Sequence, residues 1–325
     1  MCRAVKRGGI AKAVAVDMEC ARVADHAGLE IGHIGHLSQV PKYEAEAAAA
    51  FAPDYWTVFN FEKANEAGSA SLKRKREQPL LARIRAEGDT FYRGHEGGFP
   101  ASEVATVAEA LDRTPGGRFA GITTFPALLF DLATGKVKPT PNLETLRRAA
   151  EALAKSGRRD IEINAPGTTS TVTLDALAAA GATQIEPGHG LTGTTPLQLP
   201  ERPAVVYLTE VSHLVGDEAF CFGGGLYIDP VFPDYQVKAI VAPEPTASAA
   251  ALRNVELPAP TAIDYYGMID ARGESKPKVG DSVIFGFRAQ AFVTRAYVVG
   301  VAGLSRGDPV IEELSDGFGR RSTWP

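Results

Sequence analysis

The chain has 325 residues, 45% hydrophobic and 22% charged, which suits a globular protein of one large or two medium domains. A net charge of -5 without a dominant Lys/Arg block argues against nucleic acid as a partner. No apolar run reaches the about 18 residues of a membrane span, and the basic N-terminus lacks the apolar stretch of a signal peptide. Three cysteines without a close pair give no disulfide framework and no zinc spacing, so we expect a cytoplasmic protein.

Up to about residue 200 the chain repeats a short apolar run, a turn and a helical pattern. The apolar runs, which we interpret as strands, cover residues 11–16, 29–36, 55–61, 80–86, 119–125, 160–164 and 182–185. The helical patterns cover residues 2–7, 20–27, 43–51, 62–71, 102–111, 143–155 and 174–180. Alternating strands and helices predict right-handed crossovers and a parallel sheet.

Polar residues gather at the carboxyl ends of these strands, where barrels and doubly wound sheets bind ligands. They are Asp17, His33, His36, Asn60, Glu87, Thr123, Thr124, Asn164 and Glu186. A longer loop at residues 89–99 has the length of a functional or mobile segment. His33 and His36 are three apart, which in a strand places them on opposite faces, so we predict no metal site there.

The stretch from Glu186 to Thr194, EPGHGLTGT, follows the last of these strands. Its glycines let backbone N–H groups approach an anion, and its threonine hydroxyls can add hydrogen bonds. The carboxylate lies beside this group and would repel a phosphate. The stretch suits a ligand with a phosphate at one end and a protonated group at the other; a glycine-rich turn closing an ordinary strand is the alternative.

A Pro-rich junction at residues 199–203 separates two textures of sequence. Beyond it, β-branched and aromatic residues alternate or run together over residues 205–213, 219–222, 237–241 and 283–301, with one possible short helix at residues 247–254. We therefore predict an α/β domain at residues 1–200 and a β-rich domain at residues 201–325.

Only seven strand signals precede the junction, whereas a closed (β/α)8 barrel needs eight. The sequence opens on a helical pattern at Cys2 to Arg7, followed by Gly8 and Gly9. Either one strand of a TIM-like α/β barrel escapes this reading, or its first βα unit is absent from the sequence given, which would leave strand edges exposed.

Four motifs identify a resemblance that covers essentially the whole chain. They are EPGHGLTGT at residue 186, FPALLFD with TPNL at residues 125 and 140, NAPGTTS at residue 164, and EVSHL with CFGGGLY at residues 210 and 221. Their order resembles the YhfX-type branch of the fold-type III pyridoxal phosphate (PLP) enzymes, an alanine racemase-like group. The resemblance implies a PLP-binding barrel followed by a β domain.

The resemblance also implies a set of cofactor contacts. Glu186 would pair with the pyridine nitrogen and keep it protonated, which makes the ring a strong electron sink. The other cofactor residues that it implies are Asp17, Thr124, Asn164, Gly167, Thr168, Thr169, Gly188, His189, Gly190 and Tyr265. Within this set the glycines, His189, Thr168 and Thr169 would hold the phosphate, and Tyr265, with Tyr266 as an alternative, would reach it from the β domain.

Racemisation needs an acid or base on each face of Cα. Where relatives place a tyrosine from the partner subunit, this chain has Phe222, which carries no proton, so the neighbouring Cys221 is the candidate catalytic residue in a shared homodimer site. The Schiff-base lysine of the family lies on the first barrel strand. Lys6 and Lys12 do not match its position, so we expect the chain as given to lack it.

Four hypotheses remain open at this point. The first is a PLP-dependent racemase or isomerase acting at Cα of an amino acid, and the second is a PLP-dependent decarboxylase. The third is a non-catalytic PLP-binding protein, which the missing lysine favours. The fourth, a phosphate-binding barrel unrelated to PLP, leaves the β domain without a role.

Overall fold

A computed structural model of the chain describes residues 1–131, 133–193, 203–223, 236–244, 246, 248–258, 265–286, 296–317 and 319–323. Two compact units form: Met1–Asp131 with Lys136–Gly188, and Leu132–Gly135 with His189–Pro325. The predicted domain boundary at residues 200 and 201 lies outside the described residues.

The first unit contains a parallel sheet with helices between its strands. Its strands are β1 (Lys12–Val14), β2 (Glu30–Ile34), β3 (Tyr55–Val58), β4 (Gln78–Arg85), β5 (Phe99–Pro100), β6 (Gly117–Thr123), β7 (Leu128–Asp131), β8 (Lys136–Pro139) and β9 (Glu162–Asn164). Its helices are α1 (Cys2–Arg7), α2 (Met18–His26), α3 (Ala45–Ala50), α4 (Phe61–Lys73), α5 (Val104–Asp112), α6 (Pro141–Lys155) and α7 (Leu174–Ala179). Helix α8 (Gly188–Thr192) follows at the division between the units.

The sheet order is β1-β2-β3-β4-β6-β9, with β5 beside β4. The last predicted strand contributes a single parallel bridge, between Asn164 and Gln184. Within the described residues β1 pairs only with β2, and the sheet is curled but not closed. The fold-class prediction is confirmed, while β7 and β8 form an antiparallel hairpin that the sequence did not predict.

The helices of this unit form because apolar spacing and capping agree. Helix α6 starts with Pro141 in its first turn, where proline is favoured, and buries Leu143, Leu146 and Leu153 on one face. Asn60 caps α4 by accepting a hydrogen bond from the backbone N–H of Lys63. These faces cover the sheet and give the unit its own hydrophobic core.

The second unit is a β-rich domain. Its strands are β10 (Tyr207–Val215), β11 (Glu218–Phe222), β12 (Lys238–Ala242), β13 (Leu252–Glu256), β14 (Tyr266–Asp270), β15 (Ser282–Phe285), β16 (Val298–Ala302) and β17 (Val310–Ser315). Six of them close into an antiparallel barrel in the order β10-β11-β14-β13-β12-β15, and β16 and β17 form a separate pair. The short helix predicted at residues 247–254 is wrong over the described residues 248–254, where a short 3-10 helix (Ala249–Ala251) is followed directly by β13.

No helix in the described ranges is long and apolar enough to cross a membrane.

Alanine substitutions at Gly121 and Gly32 test the close approach of strands in the first unit. A Cβ on Gly121 would lie 2.0 Å from the carbonyl oxygen of Glu162, so β6 and β9 must separate when alanine replaces it. We expect Gly121→Ala to lower the free energy of unfolding by about 1–3 kcal/mol, as overpacking does. Gly32→Ala, whose Cβ would meet Lys12 at 3.4 Å, is the matched control and should change it by less. Urea unfolding measures both; equal effects would contradict the packing account.

Candidate active site

The carboxyl ends of the parallel strands carry a cluster of polar side chains. The cluster contains His33 in β2, Thr123 at the end of β6, Asn164 at the end of β9, and Glu186 just after the Gln184 bridge. These side chains meet because parallel strands end at one edge of the sheet. His33 is 2% exposed and the Glu186 side chain 14% exposed.

His36 joins the cluster because the chain turns after β2. Gly35 has a φ of 80°, and a Cβ there would lie 2.7 Å from the carbonyl oxygen of Thr57. The turn leaves His36 Nε2 3.7 Å from Oε2 of Glu186, with its ring centroid 5.5 Å from that of His33. The expectation that the two histidines lie on opposite faces is therefore wrong, because β2 ends before Gly35.

Glu186 is held by hydrogen bonds from residues of two strands, β2 and β9. Asn164 Nδ2 donates to Oε1 of Glu186 at 2.7 Å, and His33 Nδ1 lies 3.3 Å from the same oxygen. Asn164 Nδ2 also donates to the hydroxyl of Thr123 at 3.2 Å. On the other side of the imidazole, His33 Nε2 lies 2.6 Å from Oγ1 of Thr57. One carboxylate is thus tied to β2, β3, β6 and β9.

The environment separates the protonation states of Glu186 and His36. Burial lowers the pKa of His36 to about 3, although Glu186 acts in the opposite direction, so this imidazole is neutral near pH 7. Burial alone would raise the pKa of Glu186. His36, which is protonated only in strong acid, together with His33 and the hydrogen bonds from His33 and Asn164, outweighs burial and lowers the pKa of Glu186 to about 2. With His36 neutral, the hydrogen bonds keep the carboxylate ionised.

Arg83 brings a buried cation beside this cluster. It lies on β4, is 0% exposed, and stacks 4.7 Å from the centroid of the Phe59 ring. Its guanidinium donates to the carbonyl oxygens of His36 at 3.3 Å, His95 at 2.7 Å and Phe125 at 3.3 Å. Burial lowers its pKa to about 10, partly opposed by Glu186, so it stays charged at neutral pH.

Several buried polar atoms of this cluster have no hydrogen-bond partner within the described structure. They are both ring nitrogens of His36, Nε of Arg83 and Oδ1 of Asn164. Buried polar groups normally find partners, so a group of such atoms around one ionised carboxylate suits a polar ligand. The carboxylate can accept an N–H from a protonated ring nitrogen, and the arginine can donate to an anionic oxygen. Across the described ranges no set of three His, Cys, Asp or Glu side chains could hold a metal ion.

Two residues predicted at the cofactor have hydrogen-bond partners within the protein. Asp17 is the N-cap of α2, where its carboxylate accepts from the backbone N–H of Cys20 at 2.8 Å. Thr124 is fully buried, and its hydroxyl accepts a hydrogen bond from Asn142 at 3.3 Å. Neither bonds with Glu186 in the described structure, and their assignment as cofactor ligands stays a prediction.

The predicted phosphate loop packs on the β7 hairpin. The N–H of Thr168 donates to the carbonyl oxygen of Leu128 at 3.0 Å, and a Cβ on Gly167 would lie 2.5 Å from that oxygen. Thr169 is 3% exposed and its hydroxyl bonds back to Gly167. The N–H of Gly188 donates to the carbonyl oxygen of Glu186 at 2.9 Å. Two N–H groups of the predicted phosphate site are therefore already used by the protein.

The remaining predicted residues belong to the second unit. Cys221 is 0% exposed in the core of the closed barrel, and burial raises its pKa to about 11. The thiol is thus enclosed by the core of its own unit, and its catalytic role in a site shared with a partner subunit stays a prediction. Tyr265 is 53% exposed just before β14, and Gly190 lies in α8. The side chain of His189 lies outside what the structure describes.

Sequence reasoning missed Arg83 and the role of Thr57. Both lie inside apolar runs, and the sequence predicts only core packing for the residues of such runs. The available signal was a charged residue in the middle of the apolar run at residues 80–86, since an arginine is almost never fully buried unless its charge is paired.

The neutral state of His36 predicts a pH dependence of stability. Between its ordinary pKa of 6.5 and its folded pKa of about 3, only the unfolded chain binds this proton, so stability falls as the pH falls below 6.5. From pH 6.5 to 5 we expect a contribution of up to about 1.4 kcal/mol per pH unit, which His36→Gln should remove. His213→Gln, which changes a histidine stacked on Phe220 in the second unit, is the control. Urea unfolding across this range measures the slopes; an unchanged slope in His36→Gln would refute the assignment.

Comparisons with known proteins place both parts of the chain in families. Residues 1–196 match the alanine racemase N-terminal domain, and residues 206–311 match the YhfX-like C-terminal domain. The uncharacterized protein YhfX of Escherichia coli strain K12 is 39% identical over 315 residues, which cover 96% of this chain and 79% of YhfX. The family resemblance inferred from the sequence is confirmed.

Solved structures share the fold at low sequence identity. An alanine racemase of Clostridium difficile 630 in complex with cycloserine superposes with a TM-score of 0.61 at 13% identity, covering 97% of this chain and 86% of that one. D-threonine aldolase from Filomicrobium marinum gives 0.62 at 16% identity, covering 95% and 81%. Diaminopimelate decarboxylase from Helicobacter pylori complexed with L-lysine gives 0.60 at 14%, covering 96% and 81%. The chain therefore belongs to the YhfX-like group of the alanine racemase family, whose members are fold-type III, PLP-dependent proteins.

Proposed function

We propose that the protein binds pyridoxal phosphate, with the carboxylate of Glu186 accepting the N–H of the protonated pyridine ring. The observation that carries this proposal is the ionised carboxylate of Glu186 among buried, unpartnered polar atoms at the strand ends. The donor set fits the cofactor, because a pyridinium needs an acceptor that keeps its charge near pH 7. When bound, the cofactor supplies an electron sink for a carbanion at Cα of an amino acid.

The roles of the chain's own residues follow from their charges. Glu186 holds the ring proton and, being ionised, favours the cationic ring. Asn164 and His33 keep the carboxylate oriented through Oε1. Arg83, a permanent cation with an unpartnered Nε, would donate to an anionic oxygen of cofactor or substrate. Its clamp on the His95 and Phe125 carbonyls also fixes the loops at this edge.

We further propose that the reaction is an isomerisation at Cα of an amino acid. The names of the three similar structures, a racemase, an aldolase and a decarboxylase, all denote amino-acid chemistry. Glu186 supports any reaction that passes through negative charge at Cα, and racemisation is the reaction of the family to which residues 1–196 belong. A homodimer, which the sequence resemblance implies, and a cytoplasmic location, which the cysteine usage favours, are part of this proposal.

The lysines of the described chain support non-covalent binding. Lys6 Nζ donates to the carbonyl oxygen of Gly28 at 2.7 Å, and Lys12 Nζ pairs with Asp54 at 2.5 Å. Within the described residues no lysine pairs with Glu186 or with the side chains that bind it. We propose that this chain holds PLP through Glu186 and neighbouring groups without a Schiff base to Lys6 or Lys12.

Removal of the Glu186 charge tests the binding mode. Glu186→Gln is expected to weaken PLP binding by about tenfold or more, because a hydrogen bond to a charged group is worth about 1.5–3 kcal/mol. Glu162→Gln is the matched control, since Glu162 lies at the other end of β9 and accepts from Tyr55 at 2.9 Å. Titration followed by absorbance measures the affinity, and mass spectrometry after borohydride reduction should find Lys6 and Lys12 unmodified. Equal affinities for the two variants would refute the role of Glu186.

Deuterium exchange tests the reaction. With PLP and L-alanine, L-threonine or L-lysine in D2O, the protein should exchange the Cα proton faster than PLP alone and change the D/L ratio. Glu186→Gln should slow the exchange by about 10–100-fold, in line with loss of a charged hydrogen bond. Nuclear magnetic resonance follows the exchange, and chiral chromatography follows inversion. Release of carbon dioxide without inversion would establish decarboxylation, and no exchange with any amino acid would leave a binding protein.

A further inference from the structure

The two oxygens of the Glu186 carboxylate have different surroundings. Oε1 accepts from Asn164 Nδ2 at 2.7 Å and faces His33 Nδ1 at 3.3 Å. Among the described residues no side chain donates a hydrogen bond to Oε2, and His36 Nε2 lies 3.7 Å from it, beyond hydrogen-bonding distance. An ionised carboxylate offers lone pairs on both oxygens, so Oε2 is the oxygen left for a ligand.

A count of hydrogens around His33 identifies its tautomer. The hydroxyl of Thr57 is fully buried, and in the described structure its partner is Nε2 of His33 at 2.6 Å. A buried hydroxyl donates its proton where an acceptor is present, which makes Nε2 the unprotonated nitrogen. When His33 carries a single ring proton, that proton then lies on Nδ1, which faces the acceptor Oε1 of Glu186.

The amide of Asn164 agrees with this arrangement. Its two N–H groups are used by Oε1 of Glu186 and by the hydroxyl of Thr123, so it needs no acceptor on the imidazole. The 3.4 Å approach between Asn164 Nδ2 and His33 Nδ1 is then a contact between two donors that share one acceptor. In this series of hydrogen bonds from Thr57 through His33 to Glu186, each polar hydrogen is thus assigned to one donor.

We infer that His33 and Thr57 are positioning residues for Glu186: the Thr57 hydroxyl fixes the Nδ1–H tautomer of His33, which binds Oε1 and leaves Oε2 for the ring nitrogen of the cofactor. The inference rests on the proposed function only in its last step. Neutral His36 completes the arrangement, because a charged imidazolium beside Oε2 would compete with the ligand for that oxygen.

The protein without cofactor tests the first step. Nitrogen chemical shifts of the histidine rings, measured at about pH 8 where an ordinary histidine is neutral, should show His33 as the Nδ1–H tautomer. Thr57→Val removes the hydroxyl with little change of shape, and the Nε2–H form should then appear. Thr57→Ser keeps the hydroxyl and should preserve the wild-type pattern. An Nε2–H tautomer in the wild type, or an unchanged tautomer in Thr57→Val, would overturn the inference.

The cofactor-bound protein tests the second step. Thr57→Val and His33→Leu should weaken PLP binding by about three- to tenfold, as loss of one hydrogen bond does, and shift the ring nitrogen of 15N-labelled PLP toward its unprotonated value. Thr57→Ser and His33→Gln, which keep a hydroxyl or a donor, should restore most of both. Variants that bind PLP with wild-type affinity and ring protonation would contradict positioning through Oε1. If the wild type binds no PLP, the proposed function fails, while the tautomer measurement still decides the role of Thr57.

Discussion

The buried negative charge of Glu186 is the constraint on which the candidate site depends. A carboxylate removed from water costs several kcal/mol unless donors replace the lost solvent. The donors come from strands far apart in the chain, with His33 on β2 and Asn164 on β9, 131 residues apart. The carboxylate of Glu186 therefore receives its hydrogen bonds only when the sheet has formed. This requirement accounts for the polar side chains at the ends of otherwise apolar strands.

Two backbone features make this arrangement sterically accessible. Gly35 turns the chain so sharply against Thr57 that any side chain there would collide with its carbonyl group, and the turn directs His36 inward. Gly121 lets β6 and β9 approach until the strand ends touch. Arg83 then donates hydrogen bonds to backbone carbonyl groups of three loops. The polar cluster thus depends on glycine geometry as much as on the polar residues themselves.

The order and type of the elements in the first unit were predictable because each apolar run is short, continuous and followed by an amphipathic helix. Glu186 and Asn164 were predictable for the same reason, since strand ends in such folds meet. His36 was also expected at a strand end, but its closeness to His33 was not predictable, because period-two alternation holds only while a strand continues, and β2 stops at Ile34. The helix expected at residues 247–254 failed because alanine-rich local propensity yielded to strand pairing, where Leu252 aligns with Ile240 of β12.

The edge strand β1 has a consequence for association between molecules. A free strand edge is a template onto which another chain can add by backbone hydrogen bonding. β1 is only three residues long and carries Lys12, whose ammonium group pairs with Asp54 and Glu30. Any incoming strand would have to desolvate or displace these charges for very few hydrogen bonds. Among the described residues, the outer edge of β1 therefore offers an incoming strand few backbone hydrogen bonds beside a charged side chain.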